Sequence, residues 1–167
     1  QEEIDALLVD LARSGKGVVR LKGGDPYVLG RGGEEAAACR RAGVAVEVVP
    51  GITSAIAVPA AAGIPVTHRG LSRGFSVITA HADLGVLPQR RDHTLILLMG
   101  VSRLRDSVAS LLEAGSDPAT PAAIIERGYH PDQRVTTTEL RCLADVAARC
   151  GVTAPAGIVI GGVVTPS

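Results

Sequence analysis

The sequence predicts an α/β protein, with a mainly parallel sheet covered by helices on both faces in its first half. Short runs of β-branched residues, such as residues 44–49, are apolar on both faces, and segments with helical spacing of apolar residues alternate with them. Glycines follow several of the predicted helices. The pattern changes near residues 63–70, so we predict two α/β domains, residues 1–70 and residues 71–167, the second with a mixed sheet.

The first half of the chain contains three predicted helices. Residues 2–14 carry apolar side chains at helical spacing, acidic residues in the first turn and Gly15 after the last. The other elements predicted here are strands at 18–21 and 44–49 and helices at 34–42 and 54–62. Pro59 should kink the last of these helices or lie in its first turn.

The second half alternates strands and helices again. The predicted strands are 75–79, 94–99, 122–126, 134–138 and 158–164. The fourth of these is polar and alternating, whereas the others are apolar. Helices at 103–114 and 140–149 separate the strands, and each is followed by a glycine, Gly115 or Gly151.

Composition excludes several classes of function. With 167 residues, 46% of them hydrophobic, and a formal net charge of +0, the chain is typical of a soluble globular protein with a sizeable core. Balanced charge gives no overall attraction to nucleic acid or to an anionic membrane, and an aromatic content of 2% argues against a single-strand nucleic-acid binder. No apolar run approaches the roughly 20 residues of a membrane span. We therefore predict neither a nucleic-acid nor a membrane partner.

Cysteine and histidine spacing argues against a disulfide framework and against a metal site. The three cysteines are Cys39, Cys142 and Cys150. They are odd in number and form no CxxC pair, and the four histidines show neither HxH nor HxxxH spacing. Free thiols are typical of a reducing compartment, so we predict a cytoplasmic protein without a bound metal.

The glycine-rich stretch GGDPYVLGRGG, residues 23–33, follows the predicted strand at 18–21. It matches neither a Walker loop, whose glycine spacing is one residue shorter, nor a dinucleotide fingerprint, which would need a third glycine where Glu35 stands. Its position beyond the carboxyl end of a strand is nevertheless where open α/β sheets bind ligands. Asp25 either accepts hydrogen bonds from a ligand or forms an Asx-type turn before Pro26, and both interpretations stay open.

Six segments in order resemble the tetrapyrrole methylase family. They are LKGGDPYVLGRGGEE at 21–35, VPGITSA at 49–55, AGIPVTHRG at 62–70, LLMGV at 97–101, IERG at 125–128 and IGGVV at 160–164. The resemblance covers essentially the whole chain. The first and third segments are the most specific, and they resemble the members that methylate uroporphyrinogen III more than those that methylate later precorrins.

This resemblance implies two α/β domains of the tetrapyrrole methylase type, with S-adenosylmethionine in the cleft between them, usually in a homodimer. The implied cofactor contacts are Gly23, Gly24, Asp25, Val28, Thr53, Ser54, Met99 and Gly128. Apolar side chains, hydroxyls and accessible glycine backbone suit a sulfonium cofactor that needs no metal. Without the resemblance, ordinary core packing would be the preferred interpretation of Met99.

The implied reaction is the C-methylation of uroporphyrinogen III through precorrin-1 to precorrin-2, at the entry to sirohaem and cobalamin synthesis. The substrate carries many carboxylates, so Arg31 and Arg69, which lie inside the matching motifs, are predicted to bind it. Each arginine could also be a solvated surface charge.

The residues that the family uses as proton acceptor and donor lie on an amino-terminal segment, with a Gly-x-Gly-Pro-Gly-Asp turn, that has no counterpart in this sequence. We therefore expect a chain truncated at its amino terminus, and the catalytic residues stay unassigned. Two alternatives remain open, namely another precorrin methyltransferase and a catalytically incomplete fragment that only binds the cofactor.

Overall fold

The computed structural model describes residues 1–80, 84–87 and 90–165. Its chain divides into two compact units, Gln1–Thr53 and Ser54–Ser167. Residues 54–70, which the sequence assigns to the first domain, belong to the second unit, where Ile64 packs against the core. The predicted domain boundary at residue 70 stays a prediction.

The first unit contains two helices, α1 (Glu2–Arg13) and α2 (Gly32–Arg41). Both confirm predicted helices, although α2 begins two residues earlier than expected. Acidic residues in the first turn and basic residues in the last complement the helix dipole in each case. Gly43 follows α2 with a φ of 77°, a left-handed conformation that glycine adopts without strain.

The strands predicted at 18–21 and 44–49 are wrong for this structure, because neither segment joins a sheet. A strand requires a hydrogen-bonded neighbour, and the described part of the first unit pairs neither segment with another. The side chains of residues 44–49 still alternate between half-buried and exposed, as they would on a strand. Val19 is 90% exposed in the other segment.

The second unit is built on one five-stranded sheet. Its strands are β1 (Gly74–Thr79), β2 (His93–Leu98), β3 (Pro121–Glu126), β4 (Arg134–Glu139) and β5 (Ala156–Ile160). Their spatial order is β1-β2-β5-β3-β4, with β1 and β2 parallel and the other three pairings antiparallel. The sheet is thus mixed, as predicted for the second half of the chain, whereas the mainly parallel sheet predicted for the first half has no strand among the described residues of the first unit. The short connection between β3 and β4 permits only an antiparallel pair.

Three helices accompany the sheet, α3 (Ser54–Ala61), α4 (Leu104–Glu113) and α5 (Leu143–Arg149). Pro59 lies in the second turn of α3 rather than in its first turn. Strand β5 ends at Ile160, four residues earlier than predicted, because Gly161 adopts a φ of 154° and a short 3₁₀ turn follows.

Each face of the sheet packs against its own apolar cluster. Alternate residues of a strand point to opposite faces, so Ile124 packs with α4 and α5, while Ile125 packs on the face that also contacts Val58 of α3. Both isoleucines are fully buried. The α/β class is therefore confirmed, with helices on both faces of the sheet.

The topology brings the carboxyl ends of β1, β2 and β3 to the same edge of the sheet. Strand β5 is antiparallel to both β2 and β3, which consequently run in the same direction. Glu126 is the partner of Ala156 at the start of β5. Continuing the β2–β5 register by two residues beyond Leu97 places Met99 opposite Ala156 as well. We call this the carboxyl edge.

Candidate functional site

Met99 is the first residue after β2 at the carboxyl edge. Its φ is 55°, a left-handed conformation that costs a residue with a Cβ of order 1–2 kcal/mol. The side chain is 57% exposed, so core packing does not explain its position. The next residue, Gly100, is buried, and an added Cβ there would lie 3.1 Å from Cδ1 of Ile158. A tightly packed glycine thus places an exposed thioether at the end of a core strand.

The turn after β3 is strained on both sides of a glycine. Arg127 and Tyr129 have φ values of 49° and 67°. Gly128 lies between them, and a Cβ built on it would lie 3.0 Å from Cγ2 of Val58. The turn therefore presents backbone groups at the carboxyl edge, and a larger residue than glycine would press against α3. We call residues 127–129 the strained turn.

Glu126 forms a buried ionic network directly before the strained turn. Its side chain is fully buried and accepts hydrogen bonds from Nε of Arg134 at 2.5 Å and from Nη2 at 2.9 Å. The backbone N–H of Thr153 donates to the same carboxylate at 3.0 Å. The hydrogen bond from Arg134, opposed by burial, keeps the pKa of Glu126 below its ordinary value. Arg127 also forms an ion pair with Glu126 at 3.6 Å, and it pairs with Asp132 at 2.7 Å.

In the first unit, Asp25 uses both carboxylate oxygens to order its loop. The N–H of Tyr27 donates to Oδ1 at 2.8 Å, which is an Asx turn, and the N–H of Gly51 donates to Oδ2 at 3.1 Å. Asp25 thus joins two loops that are 26 residues apart in sequence. The turn interpretation of Asp25 is confirmed, and the lone pairs that remain on each oxygen keep a ligand contact chemically open.

Two glycines in these loops permit close backbone contact. A Cβ on Gly51 would collide with the carbonyl oxygen of Gly24, and a Cβ on Gly32 would collide with that of Pro26. The N–H of Gly32 also donates to the Pro26 carbonyl at 3.0 Å. In contrast, a Cβ on Gly23 would meet nothing within 4 Å. The loop is tightly packed at the Gly24 and Pro26 carbonyls, whereas there is free space next to Gly23.

The remaining predicted residues of the first unit are mostly exposed. Val28 is exposed, and Thr53 is half-buried. Arg31 adopts a φ of 59° and forms a bidentate pair with Glu34, at 3.0 Å and 2.8 Å, which raises the pKa of the guanidinium. Both partners are largely exposed, so this pair is weak and an anionic ligand could replace Glu34.

Ser54 and Arg69 belong to the second unit. Ser54 is exposed and begins α3. Arg69 is exposed in a tight turn in which His68 and Ser72 exchange backbone hydrogen bonds at 3.0 Å and 2.9 Å. His68 Nδ1 donates to the Arg69 carbonyl at 2.9 Å, so the imidazole orders this loop.

Sequence reasoning overlooked Glu35, which is 4% exposed in α2. Its carboxylate accepts hydrogen bonds from Lys22 at 3.0 Å, Arg20 at 3.3 Å and Gln1 at 3.2 Å. Burial alone would raise its pKa, but the hydrogen bonds from Lys22 and Gln1 bring the pKa below its ordinary value. The alternating basic residues before the glycine loop were the available signal.

Backbone strain coincides with the predicted motifs. Among the described residues, those other than glycine with positive φ are Leu29, Arg31, Met99, Arg127 and Tyr129. Two of them are predicted site residues, one lies between Val28 and Arg31, and two flank Gly128. Strained backbone tends to occur at functional sites, where the surrounding structure compensates for its cost. Leu29 and Tyr129 are candidate residues that sequence reasoning did not single out.

A cavity of about 530 Å³ lies at the opposite edge of the sheet, where β1, β2 and β3 begin. Its charged lining includes Arg91, which pairs with Asp117 at 3.0 Å, and Arg90, which pairs with Asp92 at 2.9 Å. None of the strained residues lines it. Within the second unit, backbone strain and the sequence motifs therefore indicate the carboxyl edge, and the cavity is not part of the candidate site.

The described part of the chain contains neither a metal-binding cluster nor a membrane-spanning helix. Over residues 1–80, 84–87 and 90–165, no three side chains among His, Cys, Asp and Glu are grouped as a metal would require. Within the same residues, no helix has the length and hydropathy needed to cross a membrane.

Comparison with known proteins gives the family. The sequence pattern described as Tetrapyrrole (Corrin/Porphyrin) Methylases matches residues 1–144. The chain belongs to the tetrapyrrole methylase family. An S-adenosyl-L-methionine-dependent uroporphyrinogen III methyltransferase of Methanosarcina barkeri is 48% identical, over 98% of this chain and 68% of that protein.

Two further similar proteins differ in how much of them the chain spans. A siroheme synthase of Thiobacillus denitrificans is 43% identical over 98% of this chain, but the match covers 36% of that protein. The crystal structure of uroporphyrin-III C-methyl transferase from Thermus thermophilus, complexed with S-adenyl homocysteine, aligns with a TM-score of 0.85 and 42% identity. That alignment covers 98% of this chain and 71% of the other.

Proposed function

We propose that this protein transfers methyl groups from S-adenosylmethionine to uroporphyrinogen III and forms precorrin-2 through precorrin-1. The observation that carries the proposal is the coincidence of strained backbone with the motifs typical of this activity, at Arg31, at Met99 and around Gly128. Relatives at 48% and 43% identity are named for uroporphyrinogen III methylation and siroheme synthesis, which supports the same substrate.

The chemistry of the predicted residues fits the cofactor. A sulfonium cofactor needs apolar contact, backbone acceptors and a few hydroxyls, and it contributes an activated methyl group when bound. In the second unit, Met99 offers an exposed thioether and Gly128 an accessible backbone, and Ser54 adds a hydroxyl. In the first unit, the assigned residues are Gly23, Gly24, Asp25, Val28 and Thr53. A relative crystallised with S-adenyl homocysteine supports the choice of cofactor.

Arg31 and Arg69 are assigned to the carboxylates of the macrocycle. Both guanidinium side chains are exposed, so neither has to leave a buried network to bind an anion. Arginine presents two parallel N–H groups to a carboxylate, which favours it over lysine for this task. Methylation of a pyrrole carbon also requires loss of a proton, and we assign no proton acceptor among the described residues.

The proposal extends to pathway, assembly and compartment. Precorrin-2 stands at the entry to sirohaem and cobalamin synthesis, and the similarity to siroheme synthases supports the sirohaem branch. We propose a homodimer on the basis of the family resemblance. Three free cysteines support a reducing, cytoplasmic environment.

Titration calorimetry with S-adenosylhomocysteine tests the cofactor assignment on the full-length protein. We expect saturable binding, and we expect Asp25→Ala to weaken it about tenfold because the loop loses two hydrogen bonds. Asp10→Ala, which removes an exposed carboxylate from α1, is the matched control and should bind like the parent. Absence of binding by the parent protein would refute the proposed function.

A further inference from the structure

We propose that Gln133 is a positioning residue that sets the conformation of the strained turn and thereby the affinity for S-adenosylmethionine. The oxygen and the nitrogen of its side-chain amide connect the turn to α3. The N–H of Tyr129 donates to Oε1 of Gln133 at 2.9 Å, and Nε2 of Gln133 donates to the carbonyl oxygen of Ala61 at 3.1 Å. The inference rests on the proposed function, because it concerns the same cofactor site.

The first hydrogen bond supports the left-handed backbone of Tyr129. Tyr129 has a φ of 67°, and its side chain is 71% exposed, so packing of the phenol ring does not fix the backbone. The chain from Arg127 to Gln133 forms two tight turns. In the first the His130 N–H donates to the Arg127 carbonyl at 2.9 Å, and in the second the Gln133 N–H donates to the His130 carbonyl at 3.0 Å. These turns bring the Gln133 amide oxygen within reach of the Tyr129 N–H.

The second hydrogen bond connects the turn to a helix that belongs to the same candidate site. Ala61 is the last residue of α3, where carbonyl groups lack partners within the helix. Ser54, a predicted cofactor residue, begins the same helix. Val58, midway along α3, packs where a side chain on Gly128 would otherwise lie. A short helix is stiff, so fixing its end relative to the turn also fixes the position of Ser54 relative to Gly128.

The consequence for binding follows from preorganisation. Without the Gln133 amide, the Tyr129 N–H loses its acceptor and the left-handed conformation of Tyr129 loses this support. The turn would then populate other conformations, and the cofactor could bind only the fraction that retains the original one. Affinity should fall even though Gln133 itself contacts no cofactor atom.

The test compares Gln133→Met, which keeps the length of the side chain and loses both hydrogen bonds, with Gln133→Ala. In the full-length protein without ligand, amide hydrogen exchange at Tyr129 should accelerate about tenfold in both variants, because one hydrogen bond is lost. Calorimetry with S-adenosylhomocysteine, well below each melting temperature, should show affinity weakened about tenfold. The control is Thr137→Ala at an exposed position of β4, which should change neither quantity.

The outcomes separate the two proposals. If the parent protein binds S-adenosylhomocysteine but Gln133→Met binds equally well, the positioning role is refuted and the proposed function stands. Unchanged exchange at Tyr129 in Gln133→Met would also refute it, and so would an equal loss of affinity in Thr137→Ala, which would indicate general destabilisation. If the parent protein binds no S-adenosylhomocysteine, the proposed function and the inference both fail, whatever the exchange shows.

Discussion

Met99 combines backbone strain with exposure of an apolar side chain, and both features oppose stability. A left-handed residue with a Cβ costs of order 1–2 kcal/mol, and the exposed thioether recovers little of this through burial. Such a combination is expected where a side chain is selected for contact with a ligand rather than for packing. Stability and affinity should therefore respond to substitution in opposite directions at this position.

We predict that Met99→Gly raises the free energy of unfolding by about 1 kcal/mol, because glycine adopts positive φ without strain. The same variant should bind S-adenosylhomocysteine more weakly, since the apolar contact is lost. Denaturant unfolding and calorimetry measure the two quantities. Met99→Leu retains both the strain and the apolar volume, so it should resemble the parent in each measurement. A Met99→Gly protein that is less stable, or that binds as tightly, would contradict this interpretation.

The Met99 and Asp25 environments also show what sequence can predict about single residues. Motif matching indicated both positions, and turn chemistry indicated the Asx conformation of Asp25. The hydrogen bond from Gly51 to Asp25 joins residues 26 positions apart, and no local pattern predicts such a contact. The positive φ of Met99 could not be predicted from the sequence either, because methionine has no preference for that conformation.

At the scale of the element, the two loops of the first unit depend on direct backbone contact. Gly51 approaches the Gly24 carbonyl so closely that no Cβ fits, and Asp25 joins the same two loops. We predict that Gly51→Ala destabilises the full-length protein by about 2 kcal/mol, because the loops must separate. Thermal and denaturant unfolding measure this loss.

Gly17→Ala is the matched control for Gly51→Ala. A Cβ at Gly17 would meet nothing within 4 Å, so the change in unfolding free energy should stay within about 0.5 kcal/mol. Equal effects of the two substitutions would show that the contact between the loops does not form in solution.

The ionic network before the strained turn predicts a dependence of stability on pH. Hydrogen bonds from Arg134 lower the pKa of Glu126 in the folded protein below the ordinary 4.5. The carboxylate therefore stabilises the fold above pH 4.5, and this contribution is lost as the pH falls through the lower, folded value. Glu126→Gln should reduce the unfolding free energy at pH 7 by about 3 kcal/mol and flatten its decline below pH 4.5.

A matched control for Glu126→Gln is available on the next strand. Glu139 pairs with Arg141 at 2.5 Å, but both side chains are substantially exposed. Glu139→Gln should therefore change the unfolding free energy by less than about 1 kcal/mol at any pH. If Glu126→Gln were no more destabilising than this control, the buried network would have no role in supporting the turn.

Elements of the second unit were predicted better than those of the first, for a physical reason. Each strand from β1 to β5 has a paired neighbour, so the predicted strands and the observed strands agree within a few residues. The segments 18–21 and 44–49 have the composition of strands without a pairing partner among the described residues. Strand propensity describes a preference of individual side chains, whereas a strand forms only when a second segment pairs with it.

For the whole molecule, family membership explains why motifs predicted function better than composition did. Neutral charge and few aromatic residues only excluded classes of partner. The order of six segments predicted the family, and the match over residues 1–144 confirms it. The chain spans 68% of one methyltransferase relative and 36% of a siroheme synthase.

The most direct test of the central claim is methyl transfer itself. The full-length protein is incubated anaerobically with S-adenosylmethionine and uroporphyrinogen III, and the tetrapyrrole is analysed by mass spectrometry. We predict a product that has gained two methyl groups, preceded by an intermediate with one, together with stoichiometric S-adenosylhomocysteine. A tetrapyrrole of unchanged mass, from protein shown by calorimetry to bind S-adenosylhomocysteine, would contradict the proposed reaction.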